Sequence, residues 1–154
     1  MQISDKGLQN IIAYEGLELN AYKCPAGVWT IGVGHTGSVD GVPIGKGMII
    51  SEIQAMALLR QDIRNFEQYL NRQSFAKILT QGMFDALVSF IFNVGTGAFQ
   101  TSTMRRKLCL NAAPEEIARE FGKWVYGSVG GKKERLAGLV RRRECEARMF
   151  LSCV

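Results

Sequence analysis

The sequence has no hydrophobic run of about 18 residues, so no membrane-spanning helix is expected. Its first residues, Met1-Gln2-Ile3-Ser4-Asp5-Lys6, lack the apolar core of a signal peptide, so synthesis in the cytoplasm without a visible export signal is expected. There is no internal repeat and no linker of biased composition. Gly32-x-Gly34 is too short for a dinucleotide fingerprint and does not open a helix. No phosphate loop or metal-ligand set appears, so no cofactor is expected. Histidine occurs once, as His35. The four cysteines, Cys24, Cys109, Cys145 and Cys153, fit neither a CxxC motif nor a zinc set. They are too few for a disulfide scaffold, and free thiols are the expectation in a reducing compartment.

What remains describes a globular protein. The 154 residues are 47% apolar and 21% charged, enough for one domain with a sizeable core. The net charge of +5 suits a polyanionic partner: nucleic acid, anionic lipid or a cell wall. Most of the 17 glycines gather at Gly27 to Gly47 and Gly127 to Gly131, marking turns.

Ser4 is a suitable N-cap for a first helix, with Ile3 and Leu8 placed as a hydrophobic staple. Leu8, Ile11, Ile12 and Glu15 fall on one helical face, and Gly16 is a natural stop. Leu17 to Lys23 alternates like a strand. Cys24-Pro25-Ala26-Gly27 has the residues of a turn, and Val28 to His35 reads as the return strand. Along it Thr30, Gly32 and Gly34 form a bare face, as expected where a ligand approaches the backbone. A third short strand is expected within Ser38 to Ile44. Ser51 with Gln54 forms a capping box, followed by Ile53, Ala57, Ile63, Phe66 and Leu70 at helical spacing. Met83 to Phe92 is apolar nearly all round and reads as the central buried helix. Ser102 to Leu110 and a segment opened by Pro114 read as short helices. A last helix is expected over Lys133 to Leu151, with Leu136, Leu139, Val140, Ala147 and Phe150 inward. Arg141, Arg142 and Arg143 fan across roughly 200° of that helix, so most are expected in solvent.

A carboxyl group that must donate a proton near neutral pH benefits from burial against apolar groups. Glu15, ending an apolar stripe, is placed for that, although periodicity alone also allows a solvated helix-end glutamate.

Glu15-Gly16-Leu17 and the run Ala21 to Thr36 resemble the active-site segment of the phage-type lysozymes, the endolysins of glycoside hydrolase family 24. The family motif is Glu, eight residues, Asp or Cys, five residues, Thr; Glu15, Cys24 and Thr30 match both spacings. Ser89 to Phe99 with Ser102-Thr103, and Trp124 with Gly138 to Glu144, resemble two further family blocks in the same order. The resemblance implies an α+β, lysozyme-like fold. It has a small β-containing lobe (about 14–55) and a larger, mainly helical lobe (1–13 and 56–154), with the active site in the cleft between, all as one domain over 1–154. It implies a muramidase hydrolysing the β-1,4 bond between N-acetylmuramic acid and N-acetylglucosamine in peptidoglycan. Glu15 would be the general acid, and Cys24 and Thr30 would act opposite the sugar or on water.

Most relatives carry aspartate where Cys24 stands. A thiol has a reference pKa near 8.5, so only a few per cent is thiolate at neutral pH unless its surroundings help. Cys24 is open to three roles: a base for water, a nucleophile or a tolerated polar group. Some relatives with a membrane-tethered N-terminus cage this cysteine in a disulfide. Here Asp5, Lys6, Gln9 and Asn10 interrupt the apolar residues such a tether needs. Gly32, His35, Phe99, Gln100 and Ser102 are candidate substrate-binding residues, with His35 chiefly a structural hydrogen-bonding or ion-pairing group.

The implied partner is the glycan strand of peptidoglycan, reached by a monomer with the help of a hole-forming holin. Synthesis would be in the host bacterial cytoplasm and action in the periplasm or cell wall. No stable membrane insertion is expected. A nucleic-acid module fits the basic C-terminal segment, but the aromatics are spaced for a core rather than a stacking platform. A catalytically dead wall-binding protein would have lost Glu15 or the glycine-bare face.

Overall fold

A computed structural model describes residues 1–152; Cys153, expected as a free thiol, lies outside them. The described residues form two compact units, one of Gln9–Asn65 and one of Met1–Leu8 with the residues from Phe66 onward. Among the described residues, no helix is long and apolar enough to cross a membrane.

Helix α1 (Asp5–Glu15) starts as its sequence dictates. The Ser4 hydroxyl accepts from the Gly7 amide at 3.2 Å, and Ile3 and Leu8 are buried. The helix ends where Gly16 turns to φ 82° and donates to the Ile12 carbonyl at 2.8 Å.

The smaller unit is built on a three-stranded antiparallel sheet of β1 (Glu18–Lys23), β2 (Trp29–Gly32) and β3 (His35–Thr36). Strand β1 pairs with β2 at both ends, Glu18 with Gly32 and Tyr22 with Thr30. Between those pairs it bulges, and its middle turns to another partner. The Ala21 amide donates to Met48, and the Ile50 amide donates to Leu19. The expected return strand, Val28 to His35, is therefore two strands. Gly32 and Gly34 adopt φ 67° and 72°, in the left-handed region that a side-chain-bearing residue rarely enters, and the chain reverses there. Thr30 then pairs with Thr36, and Ile31 with His35. The expected strand near Ser38 to Ile44 is a small hairpin of β4 (Ser38–Val39) and β5 (Val42–Pro43), turning at Asp40-Gly41.

Under these strands Ile31, Val39, Ile44, Ile50, Ala55 and Leu58 form a local core. The last two come from α2 (Glu52–Asn71). Its capping box is present: the Ser51 amide donates to Gln54 Oε1 at 3.0 Å, and the Gln54 amide to Ser51 Oγ at 3.2 Å. The inward face of α2 is the expected one at Ile63 and Leu70 but differs in its first turns. Ala55, Leu58, Leu59 and Ile63 point in, whereas Ala57 is exposed and Ile53 is 83% exposed.

The larger unit is organised around α3 (Gln81–Val94), whose residues from Phe84 to Ile91 are all buried. Thr80 caps it through the Met83 amide. Around it lie α4 (Thr96–Gln100), α5 (Thr103–Cys109), α6 (Pro114–Phe121) and α7 (Ala137–Leu151). Phe90 is the hub of the aromatic core, edge-on to Phe121 at 5.3 Å and to Trp124 at 5.4 Å. Helices α3 and α7 approach so closely that a Cβ on Gly82 would stand 2.5 Å from the Met149 carbonyl oxygen.

The last helix begins later than expected. Residues before it form a hairpin of β6 (Tyr126–Val129) and β7 (Lys132–Arg135), turning at Gly130-Gly131. The triple arginine is also not mainly solvated. Arg142 and Arg143 are buried around Glu146, which is 0% exposed. Glu146 Oε1 accepts from Ser89 Oγ (2.7 Å) and Arg142 Nε (3.1 Å), and Oε2 lies 2.9 Å from Arg143 Nη1. Arg142 also reaches the Ser89 carbonyl, and Arg143 the Asn93 side chain. Arg143 further stacks over the Phe90 ring at 4.8 Å. Burial pushes the Glu146 carboxyl up, against the pull of Arg143, Ser89 and Arg142.

Candidate active site

Glu15 is the last residue of α1 and is exposed. This corrects the expectation that the apolar stripe buries it. Leu8 and Ile11 are buried and Ile12 is half-buried, but Gly16 stops the helix one residue after Glu15 and the carboxyl group stays at the surface.

Cys24 opens the turn between β1 and β2 and is partly exposed. The Gly27 amide donates to the Cys24 carbonyl at 2.8 Å, closing the β-turn that Pro25 and Gly27 promise. The Cys24 amide donates to the Val28 carbonyl at 3.0 Å. Around the sulfur, the amides of Val28 and Ala26 lower the thiol pKa. Partial burial opposes them and the Thr30 hydroxyl assists, leaving the net value below that of an ordinary thiol.

Thr30 is 4% exposed. Its hydroxyl donates to the Val28 carbonyl at 3.0 Å and lies within reach of the Cys24 sulfur. Tyr22 pairs with Thr30 and Lys23 with Trp29, so Cys24, the next residue after β1, stands diagonally from Thr30 at the mouth of one hairpin.

The face expected to be bare is only partly so. Thr30 and Gly32 are buried, and a Cβ on Gly32 would meet Ala55 and Ile50 at 3.6 Å. Gly32 serves the reversal of the chain rather than an open approach to ligand. Gly34 alone of the three is exposed.

His35 is occupied on both ring nitrogens, Nδ1 with Asp62 Oδ2 at 2.8 Å and Nε2 with the Ser38 carbonyl at 3.0 Å. Burial works against its charge, but the Ser38 carbonyl and the Asp62 carboxylate outweigh burial and raise its pKa. It ties β3 and the β4 segment to α2, which is the structural role expected of it. Asp62 was not legible as its partner, because nothing in the pattern of α2 separates it from other solvent-side residues.

The three binding candidates of the larger unit have different fates. Phe99 is 0% exposed and packs edge-on against Tyr69 and Phe90, so its side chain is core and does not meet a glycan. The Ser102 hydroxyl caps α5 through the Arg105 amide and donates to the Phe99 carbonyl, so it is already committed. Gln100, at the end of α4, is exposed. The same unit carries a cavity of about 500 Å³ lined by Asn93, Thr103, Glu120, Trp124, Tyr126 and Lys133, among others. Of these, Asn93, Thr103 and Trp124 stand in the sequence blocks already singled out. Glu120 is held there between Lys107 (2.7 Å) and Lys123 (2.8 Å), and these two ammonium groups overcome its burial to lower its pKa.

Comparison with known proteins covers the whole chain. The Phage lysozyme family profile matches residues 12–146. An endolysin of Acyrthosiphon pisum secondary endosymbiont phage 1 is 44% identical over 152 residues, covering 99% of each chain. A crystal structure of a P22 lysozyme variant superposes with a TM-score of 0.85 at 37% identity, covering 99% of each chain. The muramidase domain of SpmX from Asticaccaulis excentricus superposes with a TM-score of 0.84 at 35% identity, again over 99% of each. Together with the α+β architecture, these full-length likenesses show that the chain belongs to the phage lysozyme family.

Proposed function

We propose that Glu15, Cys24 and Thr30 are the working residues of an endolysin that hydrolyses the β-1,4 bond between N-acetylmuramic acid and N-acetylglucosamine in peptidoglycan. Glycoside hydrolysis needs a proton donor for the leaving oxygen and a second group on the other side of the sugar. Glu15 is the donor. Because it is exposed in the free protein, the bound glycan itself supplies the water-poor surroundings that a general acid needs. Cys24 is the second group, biased toward its anion by turn amides, and Thr30 holds it in place. The observation that carries this reading is the β1–β2 hairpin, which holds Cys24 and Thr30 at one mouth, both at the family spacing from Glu15. Gln100 remains the exposed binding candidate of the larger unit. The net charge of +5 favours approach to an anionic wall, and a separate hole-forming protein supplies passage to it.

Turbidity clearing of chloroform-treated Gram-negative cells tests the assignment. Glu15→Gln removes the transferable proton with little change of shape. The expected loss of rate is about 10²–10⁴-fold, the usual worth of general acid catalysis. Clearing by Glu15→Gln as fast as by the wild type would sink the proposal.

A further inference from the structure

The polar lining of the 500 Å³ cavity in the larger unit is made almost wholly of donors. Asn93 is fixed as one by its neighbour. Its side chain meets Arg143 Nη2, and a guanidinium has only donors, so the atom that faces it is the Asn93 oxygen. Arg143 is itself held by Glu146 at 2.9 Å. The Asn93 NH2 group is left without a partner among the described residues. Among those residues the lining carries one carboxylate, Glu120, and two ammonium groups already hold it, Lys107 at 2.7 Å and Lys123 at 2.8 Å. Lys133 has no such partner. It pairs with Ser128 in the β6–β7 ladder, while Tyr126 pairs with Arg135, so Lys133 and Tyr126 are diagonal neighbours on one face. The Lys133 ammonium stands 5.2 Å over the Tyr126 ring, which orients a cation without cancelling its charge. The Trp124 indole adds a further N–H, and its ring joins Val94 and Leu139 as the apolar wall.

One standing cation, N–H donors and no uncommitted carboxylate call for an anionic ligand with a small apolar part. The sugars of peptidoglycan are uncharged where the lactyl group of muramic acid carries a peptide. The carboxylates lie on that peptide, beside the methyl groups of its alanines. We propose that the cavity is a stem-peptide subsite, in which Lys133 and the Asn93 NH2 group take a free carboxylate of the peptide on N-acetylmuramic acid, so that the enzyme favours walls in which this carboxylate is not amidated. A carboxylate receives charge-assisted bonds from both groups. Amidation replaces one oxygen by a donor, sets it against donors and removes the charge that Lys133 meets. The choice of occupant rests on peptidoglycan being the substrate; the donor set of the cavity does not.

The probe is the free tripeptide L-alanyl-γ-D-glutamyl-meso-diaminopimelic acid, titrated into the full chain and followed by proton–nitrogen correlation NMR. It holds no glycosidic bond, so its binding is read apart from catalysis. The Trp124 indole N–H is expected to move and saturate, while that of Trp29, in the smaller unit, stays still. Lys133→Met, which keeps the length and removes the charge, should weaken binding about tenfold, the worth of a bond to a charged group. Lys133→Arg should restore most of it. Asn93→Asp keeps the acceptor for Arg143 but puts an oxygen in place of the NH2 group, and should weaken binding at least as much. Lys132→Met, on the opposite face of the hairpin, is the control and should bind like wild type. Tripeptides amidated at the glutamate or at the diaminopimelate identify the carboxylate: the one that matters removes the difference between wild type and Lys133→Met. On sacculi, KM of Lys133→Met should rise about tenfold at unchanged kcat when that carboxylate is free, and match wild type when it is amidated. No movement of Trp124 at about 10 mM tripeptide, tenfold above a millimolar affinity, overturns the proposal. So does equal binding of a tripeptide amidated at every carboxylate, or an equal loss in Lys132→Met. If the tripeptide binds as expected yet Glu15→Gln clears cells like wild type, the subsite stands and the catalytic assignment falls. If Glu15→Gln is inactive and Trp124 does not respond, the reverse holds.

Discussion

Glu146→Gln measures how far α7 depends on one buried charge. In the wild type the Glu146 carboxylate stands between two guanidiniums that are themselves almost wholly enclosed, Arg142 at 4% and Arg143 at 1% exposure. Glutamine keeps the volume, the Ser89 bond and one acceptor. It turns the other oxygen into a donor facing an arginine and removes the negative charge that both buried guanidiniums meet. Breaking a buried pair by removing one partner costs about 3–5 kcal/mol, because the surviving charge is neither solvated nor balanced. For a chain of this size that corresponds to a Tm lower by about 6–20 °C. With a urea slope of about 2 kcal/mol/M it corresponds to a midpoint lower by about 2 M. Urea unfolding at neutral pH followed by circular dichroism provides the measurement, with an unchanged slope as the check that the same transition is compared. A loss below about 1 kcal/mol, the range of exposed ion pairs, would refute the reasoning, since it would mean that Arg142 and Arg143 do not rely on Glu146 for their burial.

Two further outcomes are expected. The His35 pKa is raised in the folded chain, so its ion pair with Asp62 contributes fully below the unfolded value near 6.5 and fades as pH rises through the folded value. Asp62→Asn should therefore destabilise more at pH 5.5 than at pH 8.5 in denaturation curves; equal losses at both would remove the charged pair from the account. Phe99→Ala should cost about 3–5 kcal/mol as a core truncation while leaving KM for the wall substrate unchanged below the melting range. A selective rise in KM at unchanged stability would restore Phe99 as a binding residue.

What was legible in the sequence was local. The Ser4 and Ser51 caps, the Gly16 stop and the Cys24 turn each depend on residues within four positions of one another, and each formed as read. Cys24 and Thr30 were singled out by the family spacing rather than by such a local reading, although one hairpin carries both. What escaped depended on distant partners or on backbone conformation. The reversal at Gly32 and Gly34 is hidden because alternation of side chains continues through it. The β6–β7 hairpin is hidden because both its faces meet solvent, so Lys132 to Arg135 carries no apolar alternation and reads as the start of a charged helix. Arg142, Arg143 and Glu146 look like surface residues until Ser89 and Asn93, some fifty residues away, supply the partners that make their burial possible. The exposure of Glu15 was missed because helical periodicity states which way a residue points but not whether anything lies over it.

The uncovered β6–β7 hairpin sets where the molecule is free to vary. Its side chains owe almost nothing to a core, and its tip at Gly130-Gly131 is fully in solvent. Selection for stability acts weakly on such a segment, so length changes, appended peptides and new surface chemistry are borne there at low cost. A graft for another wall chemistry, or a label reporting on the enzyme at work, belongs at that tip before any other loop of the chain.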